Sequence, residues 1–328
     1  MRGFAHAVDW ARSRVAAGAL PTAVLGIASA NGVHELAAFG ASGGRPAHVD
    51  DHFPLFSVTK PLLAMTALRE VERGRLALTD ALSGVLPEFG RNRSDSVELR
   101  HLLNHSSGIA EPPLHTPGGL RRSLLTASAD FAAGTATRYS SIAFEGIAAM
   151  TQHAAGRPWE HAVSAVMADA GAHGVTFDAA CEPHPIYGAD DVGLDYTRFQ
   201  ELRHPGAGAY ARARDLLALG QALLRQDPTV LHPATLAAML RPTTARLFKL
   251  PPYTAELGQD WGHGWNLRHS APGLLERSVY GHGGWNGTEF WVYPTLNVCF
   301  VLLTNRMAPD RNRVNVDQLH NAVVVGAR

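Results

Sequence analysis

Cysteine is nearly absent: Cys181 and Cys299 are the only two among 328 residues. Cysteines so far apart give neither a disulfide framework nor the paired spacing of a zinc site, and a reduced, cytoplasmic setting fits them best. Cys299 lies inside the strand-like run NVCFVLLTN, where a free thiol behaves as a small buried hydrophobe. Net charge is missing as well. The 29 basic and 29 acidic residues cancel, so no polyanion-binding surface is expected and nucleic acid is excluded as a partner. No apolar run approaches the length of a membrane span. The opening MRGFAHAVDWARSRVAAGALP alternates charges with alanines where a signal peptide would carry an apolar core. Despite 17 histidines there is no H-E-x-x-H and no paired Cys/His spacing, so neither a metal nor another cofactor is expected. HPIYGADD, residues 184–191, mixes His and Asp as polar loops ordinarily do. The glycines of FGASGGRP follow a strand-like run but lead into no helical pattern, which excludes a phosphate-cradling loop.

What the chain does have is a succession of strand and helix signals long enough to bury a large core. Residues 2–17 read as an amphipathic helix closed by Gly18 and Pro21. TAVLGIASANGVHELAAFG gives two strand-like runs around Asn31-Gly32, a strong hairpin signal. The stretch from about 60 to 240 is helical and loop-rich, with helices expected at 58–73, 97–103, 120–127, 141–155, 159–170, 212–225 and 233–239. Strand character returns in GHGWNLRH, ERSVYGHGG, TEFWVYP and NVCFVLLTN, and residues 312–325 read as a closing helix. Strands drawn from both ends of the chain, with helices between, make an α+β fold. It consists of an antiparallel sheet flanked by terminal helices, beside a mostly helical subdomain inserted between the N- and C-terminal strands. One domain over 1–328 is expected, its α/β part about 1–60 and 241–328, its helical part about 61–240.

FSVTKPLL stands at the seam between those parts. Behind it Leu62, Leu63, Met65, Thr66, Leu68 and Val71 recur at helical spacing, with Gly74 as a stop, which puts Ser57 and Lys60 near the first turn of a helix. Residues three apart are helix neighbours, so the amine can lie beside the hydroxyl. A serine hydroxyl is a weak nucleophile until a neighbour takes its proton. Taken alone, the pair is equally an N-cap serine with a solvated lysine, because S-x-x-K recurs by chance. Ser106 and Ser107 beside His105 offer a rival nucleophile, but His105-Ser106-Ser107-Gly108 lacks the first glycine of a G-x-S-x-G elbow.

Three further stretches follow FSVTKPLL in order. They are GRLALTDALSGVLPEF with VELRHLLNHSSGI, then GTATRYSSIAFEGIAAMTQHAAGRPWEHAV, then YGHGGWNGTEFWVYPTLNVCFVLLTNRMAP. Together they resemble the serine β-lactamase and penicillin-binding-protein superfamily over roughly residues 20–325. The match is to its class C-like branch, which also holds family VIII carboxylesterases, D-amino-acid peptidases and acyltransferases. The resemblance implies a β-lactamase/transpeptidase-like fold with Ser57 as nucleophile. It also implies that Lys60 and Tyr139, the tyrosine of the second box, share the proton transfers. Read without the family, Tyr139 is a half-buried aromatic. As a base it needs a cation, since a free tyrosine has a pKa near 10, about three units above neutrality. Lys60 is either that cation or, if desolvated, the base itself. The oxyanion hole implied is the backbone N–H of Ser57 with that of Trp285, the residue after the third box. His282, Gly283 and Gly284 form the strand edge that faces substrate.

Two departures bear on specificity. The second box is Tyr139-Ser140-Ser141, with Ser141 where the family has an asparagine whose amide holds an acylamino group. The third box has His282 and Gly283 where lysine and threonine would bind a substrate carboxylate. Both weaken β-lactam and peptide recognition and leave the acylation machinery in place. The expected function is that of a serine hydrolase or acyltransferase acting on an ester or thioester of a small molecule. β-Lactamase or D-amino-acid peptidase activity is the first alternative, and an inactive binding protein on the same fold the second. Of Trp261, Trp265, Trp285 and Trp291, one or two are expected to line the acyl pocket and the rest to be core.

Overall fold

The computed structural model describes residues 3–307 and 314–327. Helix α1 (Ala5–Ala16) leads into strand β1 (Thr22–Ser29), apolar on both faces and buried along nearly its whole length. The chain turns at Asn31 and returns antiparallel as β2 (Gly32–Ser42), with Ser29 opposite Gly32, the hairpin that Asn-Gly predicts. In chain order the next strands are β3 (Arg45–Pro46), β4 (Phe53–Pro54), β5 (Ala136–Thr137), β6 (Tyr210–Ala211) and β7 (Phe248–Lys249). β8 (Asp260–Trp261), β9 (Asn266–Leu267), β10 (Tyr280–Gly283), β11 (Glu289–Tyr293) and β12 (Val298–Thr304) follow. Among the described residues eight of these form one antiparallel sheet in the order β3-β2-β1-β12-β11-β10-β9-β8. β12 lies directly against β1, with Ala23 opposite Thr304 and Ala28 opposite Cys299. Cys299 is fully buried, the small hydrophobe that its run implied.

The helices after α1 are α2 (Thr59–Glu72), α3 (Leu99–Leu103), α4 (Leu120–Thr126), α5 (Ala143–Ala155) and α6 (Trp159–Asp169). They continue with α7 (Tyr196–Glu201), α8 (Ala213–Leu224), α9 (Pro233–Met239) and α10 (Val316–Gly326). All but one of those after α1 match expected helices. The exception is α7, six residues long with Asp195 capping it through Arg198 N, too short to show a period. The closing helix was expected from 312; it begins at Val316, and residues 312 and 313 lie outside the described residues. α1 and α10 cover one face of the sheet, where Trp10, Ala11, Leu319 and Val323 pack with Ile27 and Phe300. α8, from the middle of the sequence, packs on the other face against β1 and β12. A single core joins that face to α2, α5 and α6. α2 is therefore enclosed on all sides: every residue from Thr59 to Leu68 is buried, Lys60 included. No helix among the described residues is long and apolar enough to cross a membrane.

Candidate active site

The turn that carries Ser57 is set by two short pairings. β4 pairs with β6, and Leu55 N then donates to Ala209 O at 2.8 Å. Residues Phe56–Val58 form one 3-10 turn that runs into α2. Phe56 has φ +44°, a left-handed backbone that a bulky residue rarely adopts. Such strain costs on the order of 1–3 kcal/mol and persists only where the surroundings over-determine it. Here the buried ring stacks on Phe199 at 5.1 Å and stands edge-on to Trp285 at 6.5 Å. The N-cap position of α2 is Val58, and the Ser57 hydroxyl makes no capping bond. The capping alternative for Ser57 therefore fails.

Lys60 Nζ lies 3.1 Å from Ser57 Oγ, 3.0 Å from Ser141 Oγ and 2.8 Å from Gly206 O. It has no exposed surface, so the solvated alternative fails too. Burial lowers its pKa to about 7, against the opposing pull of Glu111. A neutral amine has two hydrogens and a lone pair. Ser141 and Gly206 O can take the hydrogens, which leaves the lone pair for the Ser57 proton.

Tyr139 follows β5, which β7 holds in parallel register, with Leu250 N donating to Thr137 O at 2.9 Å. Its ring packs against His105 at 4.5 Å, Tyr253 at 5.1 Å and Trp261 at 5.4 Å, and Lys60 Nζ stands 4.7 Å from its centroid. The buried hydroxyl makes no well-formed hydrogen bond to the described residues. Burial, with Tyr253 and Glu111, pushes its pKa well above the usual value, and Ser57 is close enough to oppose that rise. His105, in the NHSSGI run, has a structural part: its Nδ1 accepts from Ser140 N at 3.1 Å, and its carbonyl accepts from Arg138 N at 3.0 Å.

β10 brings up the third box. Asn286, just beyond it, is fully buried and donates through Nδ2 to Pro54 O and to Thr304 O, both at 2.8 Å. This ties the end of β10 to the segment before Ser57. Gly284 permits the approach, since a Cβ there would stand 2.7 Å from Leu55 O. Among the described residues neither the Ser57 nor the Trp285 N–H is taken up in a turn or loop hydrogen bond. His282 departs from the expected role. It is buried behind Tyr139, 6.0 Å between ring centroids, and does not line the cleft. Burial and the charge of Lys60 lower its pKa to about 3, so it stays neutral.

The cleft itself encloses about 910 Å³ and is lined near Ser57 by Glu111, Tyr139, Ser141, Gly283 and Trp285. Trp285 and Trp291 are the tryptophans that reach it, while Trp265 is core. Glu111 Oε2 accepts from Ser140 Oγ at 2.9 Å, Ser141 N at 2.7 Å and Ile142 N at 3.1 Å. Glu111 keeps exposed surface, but that surface opens into the cleft; the protein around the carboxyl raises its pKa. No group of residues able to hold a metal ion occurs among the described residues.

Ser57, Tyr139 and Ser141 thus meet around the buried Lys60 amine, drawn from the first and third of the four stretches. The sequence matches the Beta-lactamase family over residues 7–324. The chain belongs to that family. Esterase EstB of Burkholderia gladioli is 30% identical to this beta-lactamase-family chain over 325 residues, covering 80% of it and 79% of EstB. Among solved structures, EstCE1, described as a hydrolase with promiscuous acyltransferase activity, superposes with a TM-score of 0.81 at 21% identity, covering 97% of each chain. A penicillin-binding protein homologue from Caulobacter crescentus does so with a TM-score of 0.81 at 20% identity, covering 98% of this chain and 97% of its own. Both likenesses bear on the fold. Against the beta-lactamase pattern, Glu111, Gly206 and Asn286 are the site residues that sequence reading missed. Gly206 contributes only a carbonyl, which every residue has, and the partners of Glu111 and Asn286 are distant in sequence.

Proposed function

We propose that this chain is a serine hydrolase or acyltransferase that forms an acyl-Ser57 intermediate from an ester or thioester of a small molecule. The observation that carries the reading is the buried Lys60 amine, 3.1 Å from Ser57 Oγ with a pKa lowered to about 7. A base poised near the working pH is both free to take a proton and strong enough to hold it. Of the two candidates left open by the sequence, Lys60 is the base, because the raised pKa of Tyr139 keeps its phenol protonated. Lys60 takes the Ser57 proton as Oγ attacks the acyl carbon. The oxyanion that forms is met by the N–H groups of Ser57 and Trp285. Collapse breaks the bond to the alkoxide or thiolate, which leaves with the proton from Lys60, passed directly or through the Tyr139 hydroxyl. Water or an acceptor alcohol or amine then attacks the acyl carbon, with Lys60 again taking the proton, and as the bond to Ser57 Oγ breaks Lys60 returns that proton to the serine oxygen.

The name of EstB supports ester substrates, and the description of EstCE1 supports transfer as an accompanying activity. β-Lactam and D-amino-acid peptide substrates are the weaker reading, because Ser141 and Gly283 supply neither the amide nor the carboxylate clamp. A cytoplasmic setting belongs to the same proposal. The test is intact-mass detection of an acyl adduct after exposure to p-nitrophenyl esters, thioesters and β-lactams, with peptide mapping to Ser57. Ser57→Ala should abolish the adduct with little change in thermal stability, since the hydroxyl caps nothing. An adduct on another serine, or none with any donor, would overturn the reading.

A further inference from the structure

We propose that Glu111 is a positioning residue for acylation: clamped on Ser140, Ser141 and Ile142, its carboxylate fixes the loop that carries Tyr139 and keeps Lys60 a base of useful strength. This rests on the reading of Lys60 given above. The geometry is a continuous path. Lys60 Nζ meets Ser141 Oγ at 3.0 Å, and the backbone N–H of the same Ser141 donates to Glu111 Oε2 at 2.7 Å. The same oxygen takes the Ser140 hydroxyl and the Ile142 N–H. One carboxylate oxygen therefore holds three consecutive residues immediately after Tyr139, at the start of α5.

Charge gives the second half of the argument. The titratable groups that face Lys60 are Glu111, Tyr139, His105, His204 and His282. All three histidines are pushed below their usual value, chiefly by burial, and Tyr139 is pushed above it. Near neutral pH those four are uncharged. Burial raises the pKa of Glu111, while the Ile142, Ser140 and Ser141 hydrogen bonds and Lys60 itself hold it ionised against that rise; its charge opposes the burial that drives the Lys60 pKa down. Without it the amine would be neutral at lower pH but too weak to draw a proton from a serine hydroxyl. Nothing in the local sequence announces this: Glu111 stands in the loop IAEPPL, 30 residues before Ser141.

The test is the pH dependence of Ser57 labelling by a fluorophosphonate, measured for the wild type, Glu111→Gln and Glu111→Asp, each checked by thermal melt. Gln retains an acceptor for the three donors and removes the charge. It should move the acid limb of the profile to lower pH by about one unit, the size expected for one nearby charge, and lower the plateau rate. Asp retains the charge and shortens the reach, so its limb should stay near the wild-type midpoint while the rate falls. A Gln variant that folds and labels with an unmoved limb would overturn the inference, as would an Asp variant whose limb shifts as far as that of Gln. If Gln fails to fold, the Asp profile decides by itself: a lowered rate with the limb near the wild-type midpoint supports the inference, and an unchanged rate or a limb lower by about one unit overturns it. Absence of wild-type labelling at Ser57 would instead strike the acyl-enzyme reading itself.

Discussion

A lysine with no exposed surface releases its proton well below its usual pKa, and for Lys60 that release falls at about 7 in place of 10.5. Between those values the unfolded chain binds a proton that the folded chain has lost. The contribution of this group to stability therefore rises with pH across that window, and its full penalty is present below about 7. Lys60→Met should cancel the slope. Urea melts at about pH 6 and about pH 10 should show the variant gaining on the wild type by several kcal/mol more at the lower pH, where the penalty is greatest. An equal difference at both would show that the folded protein holds the amine charged. The N–H···O contact to Gly206 O, lost in the variant, affects both conditions alike.

At the scale of elements, the site is a meeting of two pieces: the turn from Leu55 to Val58 and the end of β10. Gly284→Ala would put a Cβ 2.7 Å from Leu55 O and force them apart. We expect a loss of about a hundredfold in kcat, the size seen when one oxyanion donor is misplaced, with KM changed much less. Asn286→Ala, which removes the side-chain donor to Pro54 O and leaves Thr304 O with the Thr288 hydroxyl, should cost about 1–3 kcal/mol in stability and also depress kcat. A variant of either kind that acylates at the wild-type rate would separate β10 from the chemistry. Elements of this size were largely legible beforehand. The helices from α2 to α6 and the β1–β2 hairpin follow from spacing and from Asn31-Gly32, because long apolar periods and tight turns leave local marks. What was illegible is contact between segments: the Glu111 clamp, the Asn286 tie and the Gly206 carbonyl. The role expected of His282 failed for a different, local reason: the alternation of β10 turns Gly283 to the cleft and His282 to the core.

For the whole molecule, substrate choice follows from the charge of the cleft. Three carboxylates, Glu111, Glu289 and Asp317, line it with two guanidinium groups, Arg268 and Arg306, and Arg268 is paired with Asp317 at 2.9 Å. Short neutral activated esters should exceed any penicillin or cephalosporin in kcat/KM by at least roughly a hundredfold, about 3 kcal/mol. Ser141→Asn combined with Gly283→Thr should narrow that gap. The new side chain at 283 would meet the carboxylate end of Glu289, at 2.9 Å from its Cβ, a group able to swing aside. Equal turnover of nitrocefin and p-nitrophenyl acetate would shift the assignment to β-lactamase. The apposition of β1 with β12 also orders events in time. Ser57 and Lys60 leave the ribosome long before Trp285, and β1 waits for a partner that is made only at residues 298–304. At about 5–20 residues per second, many seconds pass in which the growing chain holds a hydroxyl and an amine but no second oxyanion donor and no closed sheet. A nascent chain arrested before residue 280 should accordingly resist fluorophosphonate labelling, while the released full chain reacts. The last strands to be synthesised are thus the ones that arm the serine.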